Sequence, residues 1–181
     1  SWLQAQDVSA ELQLDLQGRP LALRAAPGRL QLLSTALRWQ QADWQAAPAA
    51  TGPAARFNLS AELERLDAAG LLKRLQPAVG WGGDLGLSGR IEIHAGERFD
   101  ADVVLQRDGG DLSVTDELGI TQPLGLSELR LVLGAHDGLW QFAQGLAGAQ
   151  IGQMSGAQVI RTAPGAYWPA AGAPLQGVVE A

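Results

Sequence analysis

His94 and His136 are the only histidines in this chain, and neither has the sequence neighbours that catalysis or metal binding needs. His94 falls at a polar strand position and His136 in a turn; no second histidine stands at metal-ligand spacing from either. Both read as solvated or structural. Asp100 and Asp102 share the wet face of one strand, and Asp84, Asp108, Asp111 and Asp116 sit at turns without the defined loop of an EF-hand. Gly80-Trp-Gly-Gly83 and Gly109-Gly110 lack both the Lys-Ser/Thr of a phosphate loop and the GxGxxG spacing. No GxSxG elbow occurs, and a nucleophilic triad would have to use one of the two histidines. Asn58-Leu-Ser60 fits a glycosylation sequon but lies mid-strand. Cysteine is absent, which excludes disulfides, thiolate ligands and cysteine nucleophiles without fixing the compartment. The expectation is a protein with no catalytic residue, no metal and no cofactor.

The elements that would position any site are strands. In the segment Pro53 to Leu63, Ala55, Phe57, Leu59, Ala61 and Leu63 are apolar while Arg56, Asn58, Ser60 and Glu62 are polar. Successive strand side chains point to opposite faces, so this period of two marks a strand with one dry and one wet face. The pattern returns at Val8, Ala10, Leu12, Leu14 and Leu16, a strand read as Asp7 to Leu16. It recurs at Leu21, Leu23 and Ala25, at Leu30 and Leu32, and at Leu37 and Trp39. Leu85, Leu87, Gly89, Ile91 and Ile93 repeat it, then Phe99, Ala101, Val103 and Leu105, then Leu112 and Val114. Leu129, Leu131, Leu133 and Ala135 follow, and Trp140 with Phe142. Asp108-Gly109-Gly110 is a hairpin signal. Between Gly145 and Gly156 the pattern is weak, Val159 and Arg161 continue a short strand, and Leu175, Gly177, Val179 and Ala181 open another.

One segment changes period. Leu66, Leu71, Leu72 and Leu75 approach helical spacing, Asp67 can serve as N-cap, Lys73 and Arg74 suit the last turn, and Pro77 and Gly80 end it. The reading is a short helix near 67–75 in an otherwise all-β fold of antiparallel sheet. Ala46 to Pro53, rich in Ala and Pro, is the candidate internal boundary. Residues 1–52 then form an N-terminal meander and 53–181 the main segment, in what reads as one continuous fold. Pro164 to Pro174 is a second such loop, carrying Tyr167 and Trp168. The strands after the two loops suggest a long repeat of roughly a hundred residues. Starting at Ser-Trp-Leu and ending in mid-pattern, the chain reads as a piece of a longer protein.

With 181 residues, 46 % hydrophobic and only 18 % charged, the chain is long enough and apolar enough to build a core. A net charge of −6 would repel phosphates, which excludes nucleic acid as a partner. Trp2, Trp39, Trp44, Trp81, Trp140 and Trp168 fall near strand ends and loops, where a ring can bury its body and keep its N–H hydrated. They either cap the rims of the sheet or line the mouth of a groove. Alternation of this kind fits two architectures: a β-sandwich that hides two apolar faces, or a single sheet curled into a trough.

Phe57-Asn-Leu-Ser-Ala-Glu-Leu-Glu-Arg-Leu-Asp-Ala-Ala-Gly-Leu-Leu-Lys-Arg-Leu-Gln-Pro77 is a strand running into a short Leu-rich helix, followed by Gly83-Asp-Leu-Gly-Leu-Ser-Gly-Arg-Ile-Glu-Ile93. With Pro123-Leu-Gly-Leu-Ser-Glu-Leu-Arg-Leu133 and Ala173-Pro-Leu-Gln-Gly-Val-Val-Glu-Ala181, this order resembles the TamB family of AsmA-like translocation and assembly proteins of Gram-negative bacteria. The resemblance runs from about residue 53 onward and more loosely over the start. It implies an elongated, curled sheet with a hydrophobic interior, in the periplasmic part of a protein anchored in the inner membrane. It implies a role in outer-membrane protein assembly and phospholipid movement, with acyl chains or membrane-protein clients as ligands and an outer-membrane TamA-type partner. No catalytic motif carries over. The surface that carries over is the apolar strand face, here Leu12, Leu14, Leu16, Phe57, Leu59, Leu63, Leu85, Leu87, Ile91, Ile93, Phe99, Val103, Leu105, Leu129, Leu131 and Leu133. Two readings of other classes stay open: a module that accepts a client strand at a sheet edge, and a carbohydrate-binding sandwich that uses Trp.

Overall fold

The alternation builds a meander. The computed structural model describes residues 3–6, 8–32, 35–47, 54–162 and 176–180. The strands are β1 (Leu3–Gln6), β2 (Ala10–Leu14), β3 (Pro20–Ala25), β4 (Gly28–Leu32), β5 (Thr35–Gln45) and β6 (Arg56–Asp67), then helix α1 (Ala68–Leu75). β7 (Trp81–Gly83), β8 (Gly86–Ala95), β9 (Phe99–Gly109), β10 (Leu112–Thr115) and β11 (Thr121–Pro123) follow. The rest are β12 (Leu126–His136), β13 (Leu139–Gly148), β14 (Gly152–Arg161) and β15 (Gln176–Glu180). Twelve strands form one antiparallel sheet whose main path is β1-β4-β5-β6-β8-β9-β12-β13-β14-β15, with β2 and β3 continuing the line beside β5. The sheet is not closed into a barrel. β7, β10 and β11 make a separate three-stranded sheet. The fold is therefore all-β with one short helix, built on an open sheet rather than on two facing ones.

Asp67 caps α1, its carboxylate accepting from the Gly70 N–H at 2.9 Å, and Lys73 and Arg74 lie in the last turn. The buried face of the helix is Ala68 and Ala69. These two pack with Leu85, Leu87, Leu112, Leu126 and Leu129 into the main buried cluster, flanked by Leu66, Leu72, Trp81, Leu124, Leu146 and Ile151. The helix and the small sheet thus cover one long rim of the apolar face of the large sheet.

Bulges bend the sheet toward that rim. Register shifts set Glu64 and Arg65 of β6 against the single Ser88 of β8 and leave Asp108 extra on β9 and Ser127 extra on β12, all at the end where the cap sits. An extra residue bends its strand and raises local twist, so bulges aligned on three strands curl one edge of the sheet over. A further bulge leaves Gln40 extra on β5. It lies beside the break between β3 and β4, where the buried Trp39 indole donates to the Ala26 carbonyl at 2.7 Å. A Cβ on Gly28 would strike that indole, so glycine is required for the chain to pass over it.

Several expectations need correction. The first described strand after the Asp7 region runs Ala10–Leu14, not to Leu16. Asp15 ends it, its carboxylate accepting from the Gln17 and Arg19 N–H groups, and Leu16 is left fully exposed in the turn. Asp108-Gly109-Gly110 is not a hairpin: β10 leaves the large sheet and pairs with β7 and β11. Gly110 has φ of 75° there and packs on the Asp84 carbonyl. The weak stretch from Gly145 to Gly156 is a regular ladder between β13 and β14. Its glycines and alanines carry too little polarity contrast to show the period. β5 and β6 pair with each other across the candidate boundary, of which residues 48–53 lie outside the described ones. Trp2 and the whole second loop, with Tyr167 and Trp168, lie outside them too.

Candidate apolar trough

Four rows of side chains cross the large sheet on one face. The longest runs Ala10, Ala25, Ala42, Leu59, Ile93, Ala101, Ala135, Trp140, Ile160, each in register with the next. Leu12, Leu23, Trp44, Phe57, Ala95 and Phe99 form the row on one side. Trp39, Ala61, Ile91, Val103, Leu133 and Phe142 form the row on the other. Beyond it lie Leu30, Leu37, Leu63, Gly89, Leu105 and Leu131. Where these rows continue onto β13 and β14 they meet polar residues at Gln144, opposite Leu131, and at Gln158, opposite Phe142, and Arg107 stands opposite Leu87 at the covered rim.

Cover divides these residues into two groups. Leu85 (1 %), Leu87 (4 %), Leu129 (8 %) and Leu63 (8 %) are buried, and the first three belong to the cluster beneath α1 and the small sheet. They support the rim and do not line an open surface. Leu85 also precedes β8 and is not one of its alternating residues. Leu105 and Leu131 pack against the edge of that cluster. Phe57, Leu59, Ile91, Ile93, Phe99, Val103 and Leu133 are partly exposed on the uncovered rows. Leu12 and Leu14 are about half exposed, at 54 % and 52 %. Leu16, in its turn, belongs to neither group.

Residues absent from the sequence-derived set also lie on this floor. Trp39, Ala42 and Trp44 all face it, although the spacing of three between Trp39 and Ala42 would put them on opposite faces of a regular strand. The bulge at Gln40 resets the phase, so that Trp39 lies beside Ala61 and Ala42 beside Leu59. Phe99 and Trp140 stack over the row at 5.6 Å with 14° between planes, and Ala135, between their strands, is 1 % exposed. Trp39 is thus a core residue in mid-strand, whereas Trp140 is a rim stack.

The opposite face is polar and paired from β4 to β8, and on β9 to β14 it carries the shorter apolar row Val104, Val132, Ala143 and Ala157. Glu64 holds Arg29 and Arg38, each at 2.7 Å, and Ser60 donates to Glu92 at 2.8 Å. Asp43 accepts from Asn58 at 2.7 Å and from Gln41 at 2.6 Å; those two bonds, in that order, hold its carboxyl below the ordinary value. His136 is the last residue of β12 rather than part of a turn, and its ring bridges Asp100 at 3.1 Å and Asp102 at 3.0 Å on β9. Among the described residues no group of three or more His, Cys, Asp or Glu side chains is arranged to hold a metal ion.

The hydrogen bonds to Asp102 and then Asp100 raise the His136 pKa above its ordinary value, against a smaller opposing effect of burial. A raised folded-state pKa means the contact stabilises fully below about pH 6.5, the unfolded value, and fades as pH climbs through the folded one. The ring is half exposed, so solvent screening limits the effect to about 0.5 kcal/mol or less. Thermal unfolding of the wild type should therefore soften slightly between neutral and mildly alkaline pH. His136→Asn should flatten that limb; an identical limb in the variant would remove His136 as its source.

Asp111 secures the switch between sheets. Its carboxylate accepts from the Leu112, Gly125 and Leu126 N–H groups at 2.9, 2.8 and 2.9 Å, tying the start of β12 to the start of β10. Burial is the largest single influence on this carboxyl and disfavours its charge. The three N–H groups, helped by Arg107, outweigh it and leave the pKa below the ordinary value. The acid that sequence reading assigned to a turn is the anchor of the cap.

Comparison with family models, with curated proteins and with solved structures returns no match. Among the described residues no helix is long and apolar enough to cross a membrane.

Proposed function

We propose that the chain is a non-catalytic, lipid-handling segment of a TamB-like protein of the Gram-negative envelope, in which the trough carries phospholipid acyl chains between membranes or during outer-membrane protein assembly. The observation that carries this reading is the unbroken apolar row from Ala10 to Ile160. It crosses eight strand spacings of about 4.8 Å, or about 38 Å. One leaflet of a bilayer is about 15 Å of hydrocarbon, so a whole acyl chain fits along the row with room to advance. Each methylene withdrawn from water contributes about 0.8 kcal/mol, and partly exposed side chains leave the floor able to supply that contact. Rows of this kind bind by area and not by fixed polar contacts, so a chain can slide. In the intact protein the segment would be periplasmic, served by an inner-membrane anchor and an outer-membrane TamA-type partner.

The test uses purified protein and vesicles containing a phospholipid with a photoactivatable acyl chain. After irradiation, peptide mapping should place the label on Leu59, Ile91, Ile93, Val103 and Leu133. Label confined to the polar face around Arg38, Glu62 and Arg90, or no label above a denatured control, overturns the reading.

A further inference from the structure

The outer edge of β2 has the features of a strand acceptor. Among the described residues β2 pairs with β3 alone. The Ala26 N–H donates to the Ser9 carbonyl, so the hydrogen-bonded positions of that ladder are Ser9, Glu11 and Gln13. Bonding alternates along an antiparallel pair, which turns the N–H and C=O of Ala10 and Leu12 away from β3 toward the free edge. Natural edges are blunted with lysine, proline or covering elements. Residues 8–14 contain neither lysine nor proline, and Val8 and Leu12 remain 52 % and 54 % exposed.

Charge indicates what the edge would accept. Further along the polar face, Glu62 stands between Arg38 on one neighbour and Arg90 on the other. Glu11 has Arg24 on one side and, among the described residues, no strand on the other. An antiparallel second copy pairing Ala10 with Leu12 would set Glu11 against Glu11, a like-charge contact that disfavours it.

We propose that the β2 edge takes up, by antiparallel strand addition, an extended segment of another polypeptide that reads apolar–Arg or Lys–apolar. The cation lies opposite Glu11, and the apolar residues extend the trough floor beyond Ala10 and Leu12. Main-chain bonds supply the affinity and Glu11 the selection. This inference stands on the edge alone and does not require lipid binding.

The experiment is fluorescence anisotropy with a labelled peptide in which leucines alternate with polar residues around one central arginine, and with its counterpart carrying glutamate there. The arginine peptide should bind about three- to five-fold more tightly, the scale of one cross-strand ion pair. Glu11→Gln should erase that preference. Leu12→Pro should abolish binding of both peptides while circular dichroism stays native, because the N–H it removes faces outward and serves no internal ladder. Absence of binding, equal binding of the two peptides by wild type, or unchanged binding by Leu12→Pro overturns the proposal. So does a wild-type dimer in sedimentation that Leu12→Pro dissolves, which would give the edge to a second copy.

Discussion

Ile93→Asp should leave a folded protein that no longer takes up acyl chains, whereas Leu87→Asp, six residues earlier on the same face of the same strand, should not fold. Leu87 is 4 % exposed and packed with Leu85, Leu112 and Leu126 beneath the helix. Its cross-strand neighbour Arg107 is already engaged with the Gly110 and Ser127 carbonyls, so an added carboxylate would have to break that contact to be paired. Burying that charge without a partner should cost about 4 kcal/mol or more, a large share of the stability of an ordinary domain. Ile93 is only partly buried, on an uncovered row between Leu59 and Ala101. An aspartate there can keep its hydration, and about 1–2 kcal/mol of lost apolar contact is the expected penalty. An acyl chain passing over it would have to strip that water, so binding of a fluorescent fatty acid should fall about ten-fold or more. Leu23→Asp, at a position already 40 % exposed, should do the same at smaller structural cost. Both variants binding like wild type while folded would remove the trough as the binding surface. A Leu87→Asp protein of native stability would contradict the cap.

The contrast between Leu87 and Ile93 also shows where sequence reading stops. A period of two places both on one face, and the structure places them there. Which part of that face is covered depends on where α1, β7 and β10 fold back, and that follows from contacts distant in sequence. The helix itself was legible because Asp67, Lys73, Arg74 and Pro77 are local signals. The departure of β10 was not, because Asp108-Gly109-Gly110 has the local chemistry of a hairpin. Its fate is decided by the Asp111 carboxylate reaching N–H groups fourteen and fifteen residues away. Bulges hid the rest. Trp39 and Trp44 have opposite parity, as do Leu63 and Leu66, and Leu126 and Leu129. Each pair straddles an extra residue that restores both members to the apolar side. For the candidate site, then, side was legible for the residues of regular strands and lost at each bulge. His136 was misplaced for a simpler reason: the turn begins one residue later, at Asp137, whose φ is 50°.

Two mid-strand glycines that look alike in sequence should respond in opposite directions to the same substitution. Gly89 lies on β8 between Leu63 and Leu105, next to the bulges on β6 and β9. The β8 and β9 backbones approach so closely there that an added Cβ would collide with the Val104 carbonyl oxygen and press on the Leu105 Cα. Neither obstacle is a side-chain end that can swing away, so the strands must part. Gly89→Ala should cost about 2–3 kcal/mol, the upper range for overpacking, which in a chain of this size lowers Tm by about 4–12 °C. Gly145 on β13 has nothing within 4 Å of its would-be Cβ. Gly145→Ala should be neutral or raise stability by about 0.4–1 kcal/mol, because it restricts only the unfolded chain. Thermal unfolding of the two variants, side by side, decides the matter. If their melting temperatures shift together, the close approach of β8 and β9 does not hold, and with it goes the bend that curls the trough toward its cap. If they diverge as expected, the wall of the trough is set by backbone contact at Gly89, and larger residues on this row are tolerated only where the strands stand farther apart.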